Sequence, residues 1–342
     1  MQSKTITKSF YGLEIRVNSN KLIQIESVKS LFNLIKIQLD SNYITNLSPL
    51  SKLTKLTDIS LNNNRIKSIQ PLFLLENLIN LDLEENLIED IGALTNLKRL
   101  KYLNLNSNMI KHIKPLINLS NLNGLKLSSN KITEIDSIRN MNQLILFEME
   151  NNQIRNIDVL SNFTNLNYLS LSRNQIEIIN SLCHLNKISY LKLSFNLIRN
   201  IECISSNMNI LNHLNLAHNR IESIDDLKNV TSKLYYLNIE NNQIAQIDST
   251  SIGHFQHLNT LVISANRIKN IDAIKYLINL ENIKMNSNQI ENINGLSSIN
   301  SIVHLEMNRN LIENIDIICD DRFRNLIRLD VSFNHIKSSV VC

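Results

Sequence analysis

Apolar residues recur in this chain as L-x-x-L-x-L-x-x-N-x-I-x-x-I, usually followed by two more apolar residues three apart. Leu78, Leu81, Leu83, Asn86, Ile88, Ile91 and Leu94 form one copy, and Leu100, Leu103, Leu105, Asn108, Ile110, Ile113 and Leu116 the next. With the first Leu as position 1, good copies begin at Leu34, Leu56, Leu78, Leu100, Leu122, Leu144, Leu166, Ile188, Leu211, Leu234, Leu258, Leu280, Ile302 and Leu326. A poorer copy starts near Gly12. The asparagine at position 9 keeps time: every step from Asn20 to Asn196 is 22 residues, and later steps are 23, 23, 24, 22, 22 and 24. Such a period marks a solenoid, in which each coil buries its apolar face only against its neighbours.

The alternation at positions 4 and 6 has the period of a short strand with one buried face, so the strands should form a parallel sheet. Asparagine at position 9 has a physical cause. The chain turns inward there and leaves backbone groups without a strand partner, and a carboxamide can both donate and accept. About eight residues then remain before the next strand, too few for a long helix. Short 3₁₀ or irregular segments are expected on the convex side, with the aspartates after position 14 (Asp136, Asp158, Asp225, Asp248, Asp272 and Asp316) as their caps. The fold class expected is an α/β solenoid: a curved horseshoe with a parallel β-sheet on its concave face. Residues 1–11 would cap it, with Phe10 and Tyr11 closing the first coil, and residues 12–342 would form a single domain of about 14–15 repeats.

Composition narrows the function without naming it. Apolar residues make up 43 % and charged residues 19 % of the 342, as in a folded protein, and only 5 Gly and 3 Pro occur, so no flexible linker divides the chain. No apolar run reaches the ~20 residues of a membrane span. No signal-length apolar stretch follows Lys4 and Lys8, residue 2 is Gln, and Cys342 is the last residue, which leaves neither a myristoylation nor a prenylation signal. Cys183, Cys203, Cys319 and Cys342 lack the paired spacing of a zinc site or disulfide framework and read as reduced thiols, implying a cytoplasmic or nuclear protein. Sequons at Asn46, Asn118, Asn162 and Asn229 are no more than an asparagine-rich chain gives by chance.

This unit resembles the leucine-rich repeat superfamily in its 22-residue class, over roughly residues 12–336. Two branches share it. One is the repeat-built regulatory subunit of protein phosphatase 1; the other is the bacterial internalins, echoed by Asn152-Gln153-Ile154, Asn174-Gln175-Ile176 and the Pro-Leu pairs at 49–50, 71–72 and 115–116. The resemblance implies a non-enzymatic scaffold that binds a protein on its concave face. The phosphatase branch carries a C-terminal capping motif and a concave-face tryptophan; this chain has no such motif and no Trp.

Specificity must lie at the strand positions that point away from the core. Position 3 places Tyr168, Tyr190, His213 and Tyr236 in consecutive repeats, with Tyr102 earlier and Phe195 on the flank. Tyrosine offers contact area and a hydroxyl at small entropic cost, as binding hot spots require, although neighbouring rings could equally stack to cover the sheet. Beside them stand Asp82, Glu84, Glu148 and Glu150. Over positions 2, 3, 5, 7 and 8 of the fourteen repeats, 11 acidic residues oppose 8 basic ones in a chain of net charge +4, which disfavours a nucleic-acid groove and suits a partner with a basic or mixed patch. His213 and His218 share a strand without a third ligand at metal spacing, and no nucleophile elbow, phosphate loop or catalytic dyad is present. No enzyme activity, cofactor, metal, membrane span or small-molecule substrate is therefore expected. The reading is an intracellular phosphatase-regulator-like scaffold; the alternatives are a secreted or surface adhesion protein of internalin type and an accessory module of an enzyme on another chain.

Overall fold

The computed structural model describes residues 5–9, 12–204, 207–230 and 233–337. It divides into two compact units, Met1–Asn174 and Gln175–Cys342. In the first, β1 (Thr5–Ser9) pairs antiparallel with β2 (Gly12–Arg16). Parallel strands follow in chain order: β3 (Leu34–Gln38), β4 (Asp58–Ser60), β5 (Asn80–Asp82), β6 (Tyr102–Asn104), β7 (Gly124–Lys126), β8 (Leu146–Glu148) and β9 (Tyr168–Ser170). In the second, β10 (Tyr190–Lys192), β11 (His213–Asn215), β12 (Tyr236–Asn238), β13 (Thr260–Val262), β14 (Asn282–Lys284), β15 (His304–Glu306) and β16 (Arg328–Asp330) are parallel throughout. The hairpin before β3 occupies the segment expected to cap the first coil; Phe10 and Tyr11 lie outside the described residues.

Each strand covers positions 3 to 5 of its repeat, and the apolar positions face inward. Leu78, Leu81, Leu83, Ile88, Ile91, Leu94 and Leu97 are all buried, as are their counterparts in the neighbouring coils. Apolar burial at ~25 cal/mol per Å² is the main force holding one coil on the next. The returning half of most coils is a 3₁₀ turn that starts at position 15, as at Ser48–Leu50, Gln70–Leu72 and Asp158–Asn162. Pro49, Pro71 and Pro115 are the second residues of such turns, where a missing N–H costs nothing.

The position-9 asparagines form the expected ladder, and its direction is specific. Asn64 Oδ1 accepts from the Ile44 N–H of the preceding coil at 3.0 Å, while its Nδ2 donates to Leu39 O of that coil and to Leu61 O of its own. The same bonds recur coil after coil, for example at Asn108 and Asn266. The turn that aims the amide needs a left-handed residue at position 8, and none of these is glycine: Ser41, Glu85, Arg173, Phe195, His218 and Arg309 all have φ between 52° and 57°. A left-handed L-residue costs ~1–2 kcal/mol, offset here because position 8 donates its N–H to the next coil, as Ser41 does to Asn62 O at 2.9 Å.

Two expectations are corrected. Of the six aspartates expected as caps, only Asp248 acts as one, accepting from Thr250 N–H at the single described α-helix, Ser249–Ile252. Asp136, Asp158, Asp225, Asp272 and Asp316 are the first residues of their 3₁₀ turns, with no side-chain cap. The acceptor is often two residues earlier: Asn156 Oδ1 takes Asp158 N–H at 2.7 Å, and Asn270 and Asn314 repeat this at Asp272 and Asp316. An Asx turn closes at i+2, so position 13 and not position 15 carries the cap.

The cysteines are the second correction. Cys183 and Cys203, whose Cα atoms lie 4.6 Å apart, form a disulfide between successive coils of the second unit, and Cys319 is disulfide-bonded as well. They are not reduced thiols. Cys342 lies outside the described residues. Of the longer steps, Ser249–His254 carries its extra residues in the α-helical turn on the returning half, away from the strands; residues 205–206 and 231–232 of the other two lie outside the described residues.

Candidate functional site

The outward face of each sheet has a backbone requirement of its own. Beyond the strand, the N–H of position 7 has no backbone acceptor, and side chains supply one. Either the position-7 side chain of the preceding coil accepts, as Asp40 does from Asn62 N–H (3.1 Å), Asn106 from Ser128 N–H (2.7 Å) and Ser264 from Asn286 N–H (3.1 Å); or position 5 of the same coil does, as Asp82 from Glu84 N–H (3.1 Å) and Asn215 from Ala217 N–H (3.1 Å). This second polar row explains why Asn, Asp and Ser fill positions 5 and 7. Sequence reasoning missed it, because periodicity shows where a side chain points but not which N–H lacks a partner.

The acids of the first unit sit within that network. Glu84 accepts from Asn104 Nδ2 at 2.8 Å, Glu148 pairs with Lys126 at 3.3 Å, and Glu150 accepts from the Ser170 hydroxyl. Burial raises the Asp82 carboxyl above its usual range, with Glu84 and Asp40 adding to the rise against the opposing hydrogen bonds from Glu84 N–H and Asn104. Burial likewise raises the Tyr102 hydroxyl. For Lys126, burial pulls the ammonium down, yet Glu148 and Tyr102 outweigh it and hold it raised. Glu148 and Glu150 are therefore partnered within the chain, while Asp82 lies half-buried with no ion pair among the described residues. Tyr168 lies half-buried on β9.

A raised carboxyl has a definite consequence for stability. Between the unfolded value of 3.8 and the folded value, the native chain binds more protons than the unfolded one, so Asp82's contribution is full below 3.8 and is lost as pH rises through the folded value. Asp82→Asn keeps an acceptor for Glu84 N–H without the charge. It should raise Tm at pH 7, and the gain should shrink as pH falls through the carboxylate range; thermal scans from pH 3 to 7 followed by circular dichroism check this.

In the second unit the rings stack. His213 lies 5.4 Å from Tyr190 at 21° and 4.1 Å from Tyr236 at 1°, centroid to centroid, and Phe195 lies 3.9 Å from His218 at 11°. Asn238 Nδ2 donates to the Tyr236 hydroxyl, and Asn241 Nδ2 lies 2.6 Å from His218 Nδ1. Burial lowers the His213 imidazole, helped by Lys192, so the stack is neutral at physiological pH. The His213 ring thus lies between those of Tyr190 and Tyr236. Tyr190 is nevertheless 40 % exposed, and Tyr235, the chain neighbour of Tyr236, 50 %. Phe195 and His218 moreover occupy left-handed positions that Ser or Asn fills in other coils.

The two units thus present different faces. At positions 2, 3, 5, 7 and 8 the first carries seven acidic and four basic residues, whereas the second carries four of each together with the aromatic stacks. No described helix is long and apolar enough to cross a membrane.

Comparison with known proteins agrees with this architecture. The model described as Leucine rich repeat matches residues 54–110 and 232–290, and that described as Leucine Rich repeats (2 copies) matches residues 32–73 and 211–251. An internalin (InlF) structure from Listeria monocytogenes is 31 % identical, with a TM-score of 0.82 over 88 % of this chain and 87 % of that one. A leucine-rich repeat protein of Leptospira interrogans is 23 % identical, with a TM-score of 0.84 over 95 % and 85 %. The ectodomain of a plant membrane receptor kinase from Arabidopsis thaliana, solved in complex with CASPARIAN STRIP INTEGRITY FACTOR 2, shares the fold at 20 % identity, with a TM-score of 0.75 over 93 % of this chain and 46 % of that one. No curated protein sequence matches the chain.

Proposed function

The chain belongs to the leucine-rich repeat family, and from that premise we propose that it is a non-enzymatic, exported protein-binding module of internalin type that holds a partner on its sheet face. The observation that carries this reading is the aromatic stack of Tyr190, His213 and Tyr236 at solvent-facing positions that neither the repeat nor the buried ladder requires. Interface hot spots are enriched in such residues. The receptor-kinase ectodomain in complex with its factor is a precedent for the same fold holding a partner.

Export is supported by the Cys183–Cys203 disulfide, since disulfides persist in oxidising compartments and are rare in the cytosol. This reading departs from the cytoplasmic or nuclear placement, one premise of which was reduced thiols. The likeness to InlF, at 31 % identity over most of both chains, supports the surface reading. The phosphatase-regulator reading rests on sequence resemblance alone.

The test pairs a variant with a native measurement. Tyr190→Ala, His213→Ala and Tyr236→Ala together should lower capture of biotinylated surface proteins about a hundredfold, roughly one hot spot's worth, with the circular dichroism spectrum unchanged. Equal capture by variant and wild type defeats the sheet-face site. Alkylation and mass measurement of the protein from its natural source should find Cys183 and Cys203 blocked; free thiols there defeat export.

A further inference from the structure

The sheet face of the first unit has a cavity of about 200 Å³ across β2 to β6, lined among others by Glu14, Lys36, Asp58, Asn80, Asp82 and Tyr102. Small-molecule sites run to about 300–1,000 Å³, so this one has room for a single long side chain.

Its charges are unevenly matched. The two cations that line it, Arg16 and Lys36, lean on one carboxylate, Glu14, each at 3.9 Å. Asp58 accepts from Thr57 Oγ1 (2.6 Å) and Asn80 Nδ2 (2.7 Å), and Asp82 from Glu84 N–H. Neither Asp58 nor Asp82 has an ion pair among the described residues. Three carboxylates, Glu14, Asp58 and Asp82, thus line the cavity against two cations, and Asp40 and Glu84 lie close to Asp82, with Lys126 beyond Tyr102. Tyr102 places a half-buried ring at the β6 side of the cavity.

We propose that this cavity takes an arginine side chain of an extended partner segment, its guanidinium set between Asp58 and Asp82 and its plane against the Tyr102 ring. This rests on the reading of the sheet face as a protein-binding surface and names the chemistry recognised there. Charge complementarity selects the occupant: the carboxylates lack a cation, and an acidic segment would add repulsion to an already anionic surface. Arginine suits the place better than lysine, because its planar fork can reach two carboxylates at once and stack on an aromatic face. Burial and the neighbouring Glu84 and Asp40 disfavour the Asp82 carboxylate, and an incoming guanidinium relieves that. The chain's net charge of +4 repels basic peptides in general, so capture of one reports a local site.

The experiment titrates the full chain into fluorescein-labelled Gly-Arg-Gly-Arg-Gly-Ser and into versions with Gln or Glu at both Arg positions, reading fluorescence polarisation at low salt. The Arg peptide should bind, the Gln and Glu peptides at least tenfold more weakly, and raising NaCl tenfold should cut the Arg affinity. Asp58→Asn with Asp82→Asn should weaken Arg binding tenfold or more while the chain stays folded by circular dichroism, and Glu306→Gln in the second unit should leave it unchanged. Equal binding of the Arg and Gln peptides, or of wild type and the Asp58/Asp82 variant, overturns the proposal. The assay needs no natural partner, so its failure is distinct from failure of surface-protein capture.

Discussion

Replacing Asn130 by Leu is expected to lower the unfolding free energy by about 3 kcal/mol. The shape is nearly conserved and the loss is one of hydrogen bonds. Asn130 Oδ1 accepts from the buried Ile110 N–H at 3.0 Å, and its Nδ2 donates to Leu105 O and Leu127 O at 2.9 and 3.1 Å. Each of those carbonyls also takes a second asparagine, Asn108 for Leu105 and Asn152 for Leu127, and so keeps one donor. The Ile110 N–H is left without its acceptor. A stranded buried donor costs ~1–3 kcal/mol and each lost carbonyl bond ~0.5–1.5, which gives the figure quoted. Because coils touch only their neighbours, the defect should also split one urea transition into two. Asn334 is the internal control: its bonds to Ile312 N–H and Met307 O are only part-buried, so water can replace them and Asn334→Leu should cost clearly less. Equal losses at both sites would mean that the buried ladder is not what secures the interior coils. With no Trp in the chain, circular dichroism is the readout.

That ladder was legible in the sequence because position 9 is asparagine in coil after coil, while the other polar positions of the repeat vary. The strands and the 3₁₀ turns were legible for the same reason: period 2 and a short remainder admit little else. The outward-facing residues were only partly so. Position 3 correctly put Tyr190, His213 and Tyr236 on the outer face, but their mutual stacking depends on rotamers and strand spacing that no pattern encodes. Asp82 looked like a free carboxylate and is also the acceptor for Glu84 N–H. The cysteines were misread for a geometric reason. Cys183 is position 18 of its repeat and Cys203 position 16 of the next, a separation of 20 in a chain whose period is 22. Spacing rules look for equivalent positions, whereas the returning half of a coil lays position 18 beside position 16.

The disulfide supplies the second large effect. Cys183→Ala with Cys203→Ala should destabilise the second unit by about 3 kcal/mol, the loop-entropy figure for closing some 20 residues. The crosslink acts mainly on the unfolded chain: it removes conformations that the reduced chain could explore, while both residues already lie close through the packing of adjacent coils. The expected signature is a lower urea midpoint with a somewhat larger m-value, since the uncrosslinked unfolded state exposes more surface. A reductant should lower the wild-type midpoint towards that of the variant, and any further drop common to both would come from the bond at Cys319. If wild type and variant unfold at the same urea concentration under oxidising conditions, the bond contributes nothing to the fold. If the variant alone is destabilised, the chain depends on an oxidising surrounding for about a factor of 10² in its folding equilibrium, as ~3 kcal/mol implies. A binding surface that must stay folded outside the cell would retain that dependence, and a cytosolic scaffold would gain nothing from it.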